Sequence, residues 1–200
     1  MQTLSFEDRE EWLEARRGKI TGSRLKDIIV KRGTGRKIGF YELVAERIGL
    51  PADDEDPMER GTRLEEEAVA RFVAETGKKV DTSLVIWTRD DNQNIAVSPD
   101  GIIGKTAALE AKCLSSARHI EAFITQQIPE DYQMQIVQYF IVNDALKTLY
   151  MVFYDPRIPV KDFFYLSITR AQVQAEVDQY HQYQEETLKA VDEIVNQLTF

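Results

Sequence analysis

Hydrophobic and polar positions along the 200-residue chain alternate between two periods, about 3.6 for helices and 2 for strands. A helix over 7–17 is ended by Gly18, and a second over 24–31 carries Leu25, Ile28 and Ile29 on one stripe behind Thr21 or Ser23 as cap. Residues 40–48 predict another, stopped by Gly49 and Pro51. Over 62–76, Ala68, Val69 and Phe72 share a helix face with Glu65, and Thr62-Arg63-Leu64-Glu65 reads as a capping box. On that helix Glu67 is expected to pair with Arg71 on the solvent side. Strands are predicted at 84–88 and 95–97, then a hairpin of 101–104 with 107–113 around Gly104-Lys105-Thr106. Helices over 118–125 and 131–143, strands over 148–154 and 163–168, and a helix over 170–198 complete the chain. Helices interleaved with strands point to an α/β (α+β) fold with a central mixed sheet flanked by helices. The length suits one domain: an N-terminal helical segment (1–50), a core (58–170) and a C-terminal helix (170–198).

Composition narrows the chemistry. No apolar run approaches the roughly 20 residues of a membrane span, and the N-terminus lacks a basic-then-apolar leader, so a soluble intracellular protein is expected. Cys113 is the single cysteine, which excludes an internal disulfide and any cysteine-cluster metal site. His119 and His181 are the only histidines, so metal chemistry here is carboxylate chemistry. The net charge of −9 speaks against nucleic acid until its distribution is considered. From Arg16 to Lys37 nine basic residues face one acidic residue, Asp27, whereas 171–200 hold six acidic residues against Lys189. A basic groove on an acidic body is consistent with that polarity.

The candidate chemistry lies in Ser98-Pro99-Asp100-Gly101 and Leu109-Glu110-Ala111-Lys112. On a strand, Ala108, Glu110 and Lys112 share one face and Leu109, Ala111 and Cys113 the other, so the apolar set is expected to be buried and Glu110 with Lys112 accessible. The hairpin brings Asp100 beside Glu110, and two carboxylates suit a hard divalent cation such as Mg²⁺, with Lys112 stabilising negative charge. Singly, each of these is an ordinary turn or surface residue. Their combination gains from Glu65 beside an apolar stripe, where an unpaired carboxylate is costly, and from Gln135 between Tyr132 and Tyr139. Gln133 and Gln138 compete with Gln135 for that role. A helix N-terminus at Ser23, with Arg16 nearby in sequence, can receive a phosphate; the basic loop 33–37, with Arg36 and Lys37, suits a nucleic-acid contact or an ordinary surface loop alike, and Arg118 is a weaker candidate for backbone contact.

In order, Trp12-x3-Arg16-x-Gly18-x-Ile20-Thr21-x-Ser23, Gly61-x3-Glu65, Ser98-Pro99-Asp100-Gly101, Leu109-Glu110-x-Lys112-Cys113, Tyr132-x2-Gln135 with Gln138-Tyr139, and Tyr154-Asp155-Pro156-Arg157 resemble the segments of the phage lambda exonuclease or YqaJ-like viral recombinase family. That family has the restriction-endonuclease-like PD-(D/E)xK core. The resemblance implies a Mg²⁺-dependent 5′→3′ exonuclease on linear double-stranded DNA, with one or two ions per site and Mn²⁺ able to substitute. It implies catalytic Asp100, Glu110, Lys112, Gln135 and Glu65, of which Asp100, Glu110 and Glu65 bind metal, and a 5′-phosphate held by Arg16 and Ser23. It further implies a ring-shaped homotrimer on duplex ends, 3′ tails passed to a single-strand annealing protein, and a phage or prophage origin in the bacterial cytoplasm. A structure- or sequence-directed endonuclease and a non-catalytic DNA-binding module are the alternatives.

Overall fold

The computed structural model describes residue 11, residues 37–51 and residues 57–199. The first two predicted helices therefore lie outside the described residues, apart from Glu11, which is helical. Described elements run α1 (Ile38–Arg47), α2 (Pro57–Thr76), β1 (Trp87–Thr88), β2 (Ala96–Val97), β3 (Gly101–Ile103), β4 (Ala107–Lys112), α3 (Ser116–Thr125), a 3₁₀ turn (Glu130–Tyr132), α4 (Gln133–Val142), β5 (Thr148–Tyr154), β6 (Phe163–Thr169) and α5 (Arg170–Thr199). No helix among the described residues is long and apolar enough to cross a membrane.

A four-stranded sheet in the order β3-β4-β5-β6 forms the frame. β3 and β4 are an antiparallel hairpin, β4 and β5 are parallel, and β5 and β6 are antiparallel, so the sheet is mixed as expected. The parallel pair needs a crossover connection, and α3 with α4 supplies it. Alternation along the strands sends side chains to two separate cores. On one face Ala108, Leu149, Met151 and Phe153 pack with Ile136, Val137, Phe140 and Ile141 of α4 and Val177 of α5. On the other, Leu109 and Val152 pack with Leu64, Ala68, Val69 and Phe72 of α2.

Three expectations need correction. The helix predicted from residue 62 begins at Pro57, so Thr62 lies inside it and Glu65 is not the third residue of a capping box. Proline at the first helical position gives up an N–H that has no partner there in any case. Glu67 does not pair with Arg71: it accepts from the Tyr154 hydroxyl at 3.0 Å, while Arg71 donates to Asp162 at 3.1 Å. Both side chains are drawn to the sheet by partners distant in sequence. Of the strand predicted over 84–88, Trp87 and Thr88 pair, with Val97 and Ala96.

Gly101 opens β3, and a Cβ there would fall 2.4 Å from Val80 Cγ1. Glycine lets residue 80 cross close to the hairpin, and an isolated bridge between Asp81 and Ile102 holds that crossing in register. The turn that delivers Asp100 is thereby pinned.

Candidate active site

Pairing of Gly101 with Leu109 sets Asp100 across from Glu110 at the end of the hairpin. Asp100 Oδ2 accepts the Ala111 N–H at 2.7 Å, and its other oxygen makes no hydrogen bond among the described residues. Glu110 is not on an accessible surface as expected: it is 3% exposed, because α4 covers the sheet face it shares with Met151. A buried carboxylate must be paired, and Glu110 is. Its Oε1 accepts from Lys112 Nζ at 2.6 Å and from Gln135 Nε2 at 2.6 Å, and its Oε2 from the Tyr139 hydroxyl. Lys112 Nζ also lies 4.9 Å from the centre of the Tyr132 ring, over its face, where a cation is attracted.

The three competing glutamines take different partners. Gln135 reaches Glu110, while Gln133 donates to the Ile128 carbonyl and Gln138 to the Ala96 carbonyl. Tyr139, quoted in the glutamine segment, was given no role of its own from the sequence. Its position one turn after Gln135, on the same helix face, is the signal that could have found it.

Electrostatics mark the cluster. Burial, then the nearby charge of Glu110 and of Glu65, push the Asp100 carboxyl up to about 7, against the opposing hydrogen bond from Ala111 and the charge of Lys112. Glu65, reaching in from α2, is raised by burial and then by Glu110. Burial raises the Tyr139 hydroxyl, and the charge of Glu110 raises it further, so it donates to that carboxylate as a neutral phenol. Among the described residues, no group of three His, Cys, Asp or Glu side chains is gathered closely enough to hold an ion by itself. Magnesium-type ions keep several waters and need only one or two carboxylates. Asp100 with a spare oxygen, Glu110 opposite it and Glu65 nearby fit such a cation, whose charge would offset their mutual repulsion.

Other expected site residues fall elsewhere. Arg118 is in an ion pair with Asp131 at 2.6 Å rather than with Asp100, Glu110 or Glu65. Lys37 precedes α1, and Arg16, Ser23 and Arg36 lie outside the described residues. Just past the C-terminal end of β5, Asp155 is 1% exposed and accepts from Ser116 Oγ at 2.6 Å and from Arg157 Nε at 2.7 Å and Nη2 at 3.0 Å.

A family model described as the YqaJ-like viral recombinase domain matches residues 11–146. The chain belongs to that family. A relative within it, the uncharacterised protein YqaJ of Bacillus subtilis, is 30% identical over 135 residues, which cover 66% of this chain. The match takes in 41% of that relative's own length, so the chain spans about two-fifths of it. Among solved structures, an alkaline exonuclease from Laribacter hongkongensis is similar with a TM-score of 0.57 and 28% identity, over 95% of this chain and 100% of that one. The same exonuclease in complex with dAMP is similar with a TM-score of 0.57 and 29% identity, over the same shares. The fold is that of a PD-(D/E)xK exonuclease.

Proposed function

We propose that this family member is a Mg²⁺-dependent nuclease that digests one strand of linear double-stranded DNA from its 5′ end and leaves 3′ single-stranded tails for strand annealing. The observation that carries the reading is the convergence of Asp100, Glu110, Lys112 and Gln135, from a turn, a strand and a helix, on one carboxylate-rich corner of the sheet. It is supported by the similarity to an alkaline exonuclease over nearly the whole chain.

In this reading Asp100 and Glu110 hold the ion and Glu65 adds to the ligand set. A divalent cation supplies Lewis-acid polarisation of the phosphoryl group, and Mn²⁺ substitutes for Mg²⁺. Gln135 and Lys112, both held on Glu110 Oε1, orient the attacking water and balance charge on the phosphorane-like transition state. The water oxygen forms the new P–O bond as the 3′-oxygen leaves. Arg16 and Ser23 hold the 5′-phosphate, and Arg36 and Lys37 follow the backbone. Arg118 joins them only on leaving Asp131. Assembly as a ring-shaped trimer, an annealing protein as partner and the cytoplasm of a bacterial host belong to the same proposal.

The test compares 5′-phosphorylated linear duplex, 5′-hydroxyl linear duplex and a closed circle, each with and without Mg²⁺. Mononucleotides released from the phosphorylated linear duplex, with the circle intact, are the expected result. Rapid nicking of the circle would establish an endonuclease instead, and DNA binding with no cleavage in either Mg²⁺ or Mn²⁺ a binding module.

A further inference from the structure

The two oxygens of Glu110 have different kinds of partner. Oε1 accepts from long, adaptable side chains: Lys112, and Gln135, which is half-buried. Oε2 accepts from the Tyr139 hydroxyl. Tyr139 is fully buried, and its ring stands edge-on to Trp87, with centroids 6.3 Å apart and planes at 83°. A tyrosine turns about two side-chain torsions only, so packing of the ring fixes where its oxygen sits.

The same hydroxyl lies 3.2 Å from the carbonyl oxygen of Ser98, two residues before Asp100. With a single hydrogen to give, it is shared between the strand that carries Glu110 and the turn that carries Asp100. Tyr139 therefore ties together the two carboxylates proposed to hold the ion. Lys112 has three ammonium hydrogens and Gln135 two amide hydrogens, so both can hold Glu110 and still face the attacking water. Tyr139 is closed off from solvent, so it acts only through the groups it touches. We propose that Tyr139 is a positioning residue: it holds Glu110 and the Asp100 turn at the separation that suits a small octahedral cation. The inference rests on the nuclease reading above and adds to it a residue whose effect falls on ion binding, not on DNA binding or the chemical step. Mg²⁺ demands near-ideal octahedral geometry, so it depends on this spacing more than Mn²⁺ does.

Tyr139→Phe removes the hydroxyl and keeps the ring, and Glu110 keeps its two donors on Oε1, so the fold should be kept. In calorimetric titration of the full chain without DNA, the variant should bind Mg²⁺ about tenfold more weakly than wild type, the scale of losing a partner that orients a metal ligand. Mn²⁺ binding should weaken less, by about threefold. In digestion of 5′-phosphorylated linear duplex, the Mg²⁺ concentration for half-maximal rate should also rise about tenfold, while KM for DNA and the rate at saturating Mn²⁺ stay within about twofold of wild type. Gln138→Met is the control for a general loosening of α4: Gln138 donates to the Ala96 carbonyl on β2 at 3.1 Å, just before the Asp100 turn, and makes no hydrogen bond to Glu110 among the described residues. Its ion binding should match wild type. Unchanged Mg²⁺ binding in Tyr139→Phe, an equal loss in Gln138→Met, or a rate that excess ion does not restore overturns the positioning role and leaves the nuclease reading standing. Wild-type protein that neither binds either ion nor digests duplex removes both.

Discussion

Asp155 at the end of β5 is buried and Asp100 beside β4 half-buried, two carboxylates of one sheet with different surroundings. Asp155 meets a guanidinium at both oxygens, a hydroxyl at one and the Arg157 N–H at the other. Burial alone would raise its pKa, but the hydrogen bonds from Arg157 and Ser116 outweigh burial and leave it below the usual carboxylate range. Asp100 meets one backbone N–H and two further carboxylates, and is raised. The first arrangement is complete and ties β5 to the start of α3. The second is stable only at a cost that a bound cation would lower. Residue type does not separate a structural carboxylate from a ligand-binding one; the count and sign of its neighbours do.

The largest test of that contrast is Asp100→Asn. The amide oxygen still accepts from Ala111, while the charge crowding Glu110 and Glu65 is gone. Digestion of duplex DNA with Mg²⁺ should fall by about 10³-fold or more, the scale of losing a group that acts in the transition state. The melting temperature in chelator should stay level or rise. A variant that lost stability as well as activity would make Asp100 a second Asp155 and break the distinction.

Asp155→Asn should do the reverse. Arg157 would lose its buried counter-ion, and Arg60 would lose one of the charges that support its protonated state, where burial and then Arg157 already lower its pKa. Breaking such a pair costs about 3–5 kcal/mol, measured by denaturant unfolding. Activity per folded molecule, assayed well below the melting temperature, should change less than twofold. A 10³-fold loss in a folded variant would instead bring this cluster into the active site.

What could be read from the sequence follows the range of each interaction. The β3–β4 hairpin was legible because Gly104 and the alternation of Leu109 and Ala111 are local signals, and it carried Asp100 to Glu110 with it. The burial of Glu110 was not, since it depends on Gln135 and Tyr139, which arrive on α4 through the crossover. Nor was the role of Asp155: the Tyr154-Asp155-Pro156-Arg157 segment stood out by resemblance, but its partner Ser116 comes from 39 residues away. The residues 84–86 show the opposite failure: their alternation resembles a strand, but the pairing there is confined to Trp87 and Thr88. Glu65 was found beside the apolar stripe for a sound reason, the cost of a carboxylate there, although the capping box assigned to it is absent.

The smallest effect is in the pH dependence of stability, where the two carboxylates should have opposite signs. Asp155 is lower in the folded state than in the unfolded chain, so its contribution is present above about pH 4 and is lost as pH falls through its folded value. Asp100 is higher in the folded state, so over the window from about pH 4 to about 7 the folded protein binds more protons than the unfolded one. In chelator, stability should therefore decline across that window as pH rises. Denaturant midpoints taken at intervals between those limits should show this slope in the wild-type protein and a shallower one in Asp100→Asn, and Mg²⁺ should flatten the wild-type slope by favouring the ionised carboxylates. An identical slope in wild type and Asp100→Asn would mean that another group carries it, and that the crowding at Asp100 has no thermodynamic consequence for a cation to relieve.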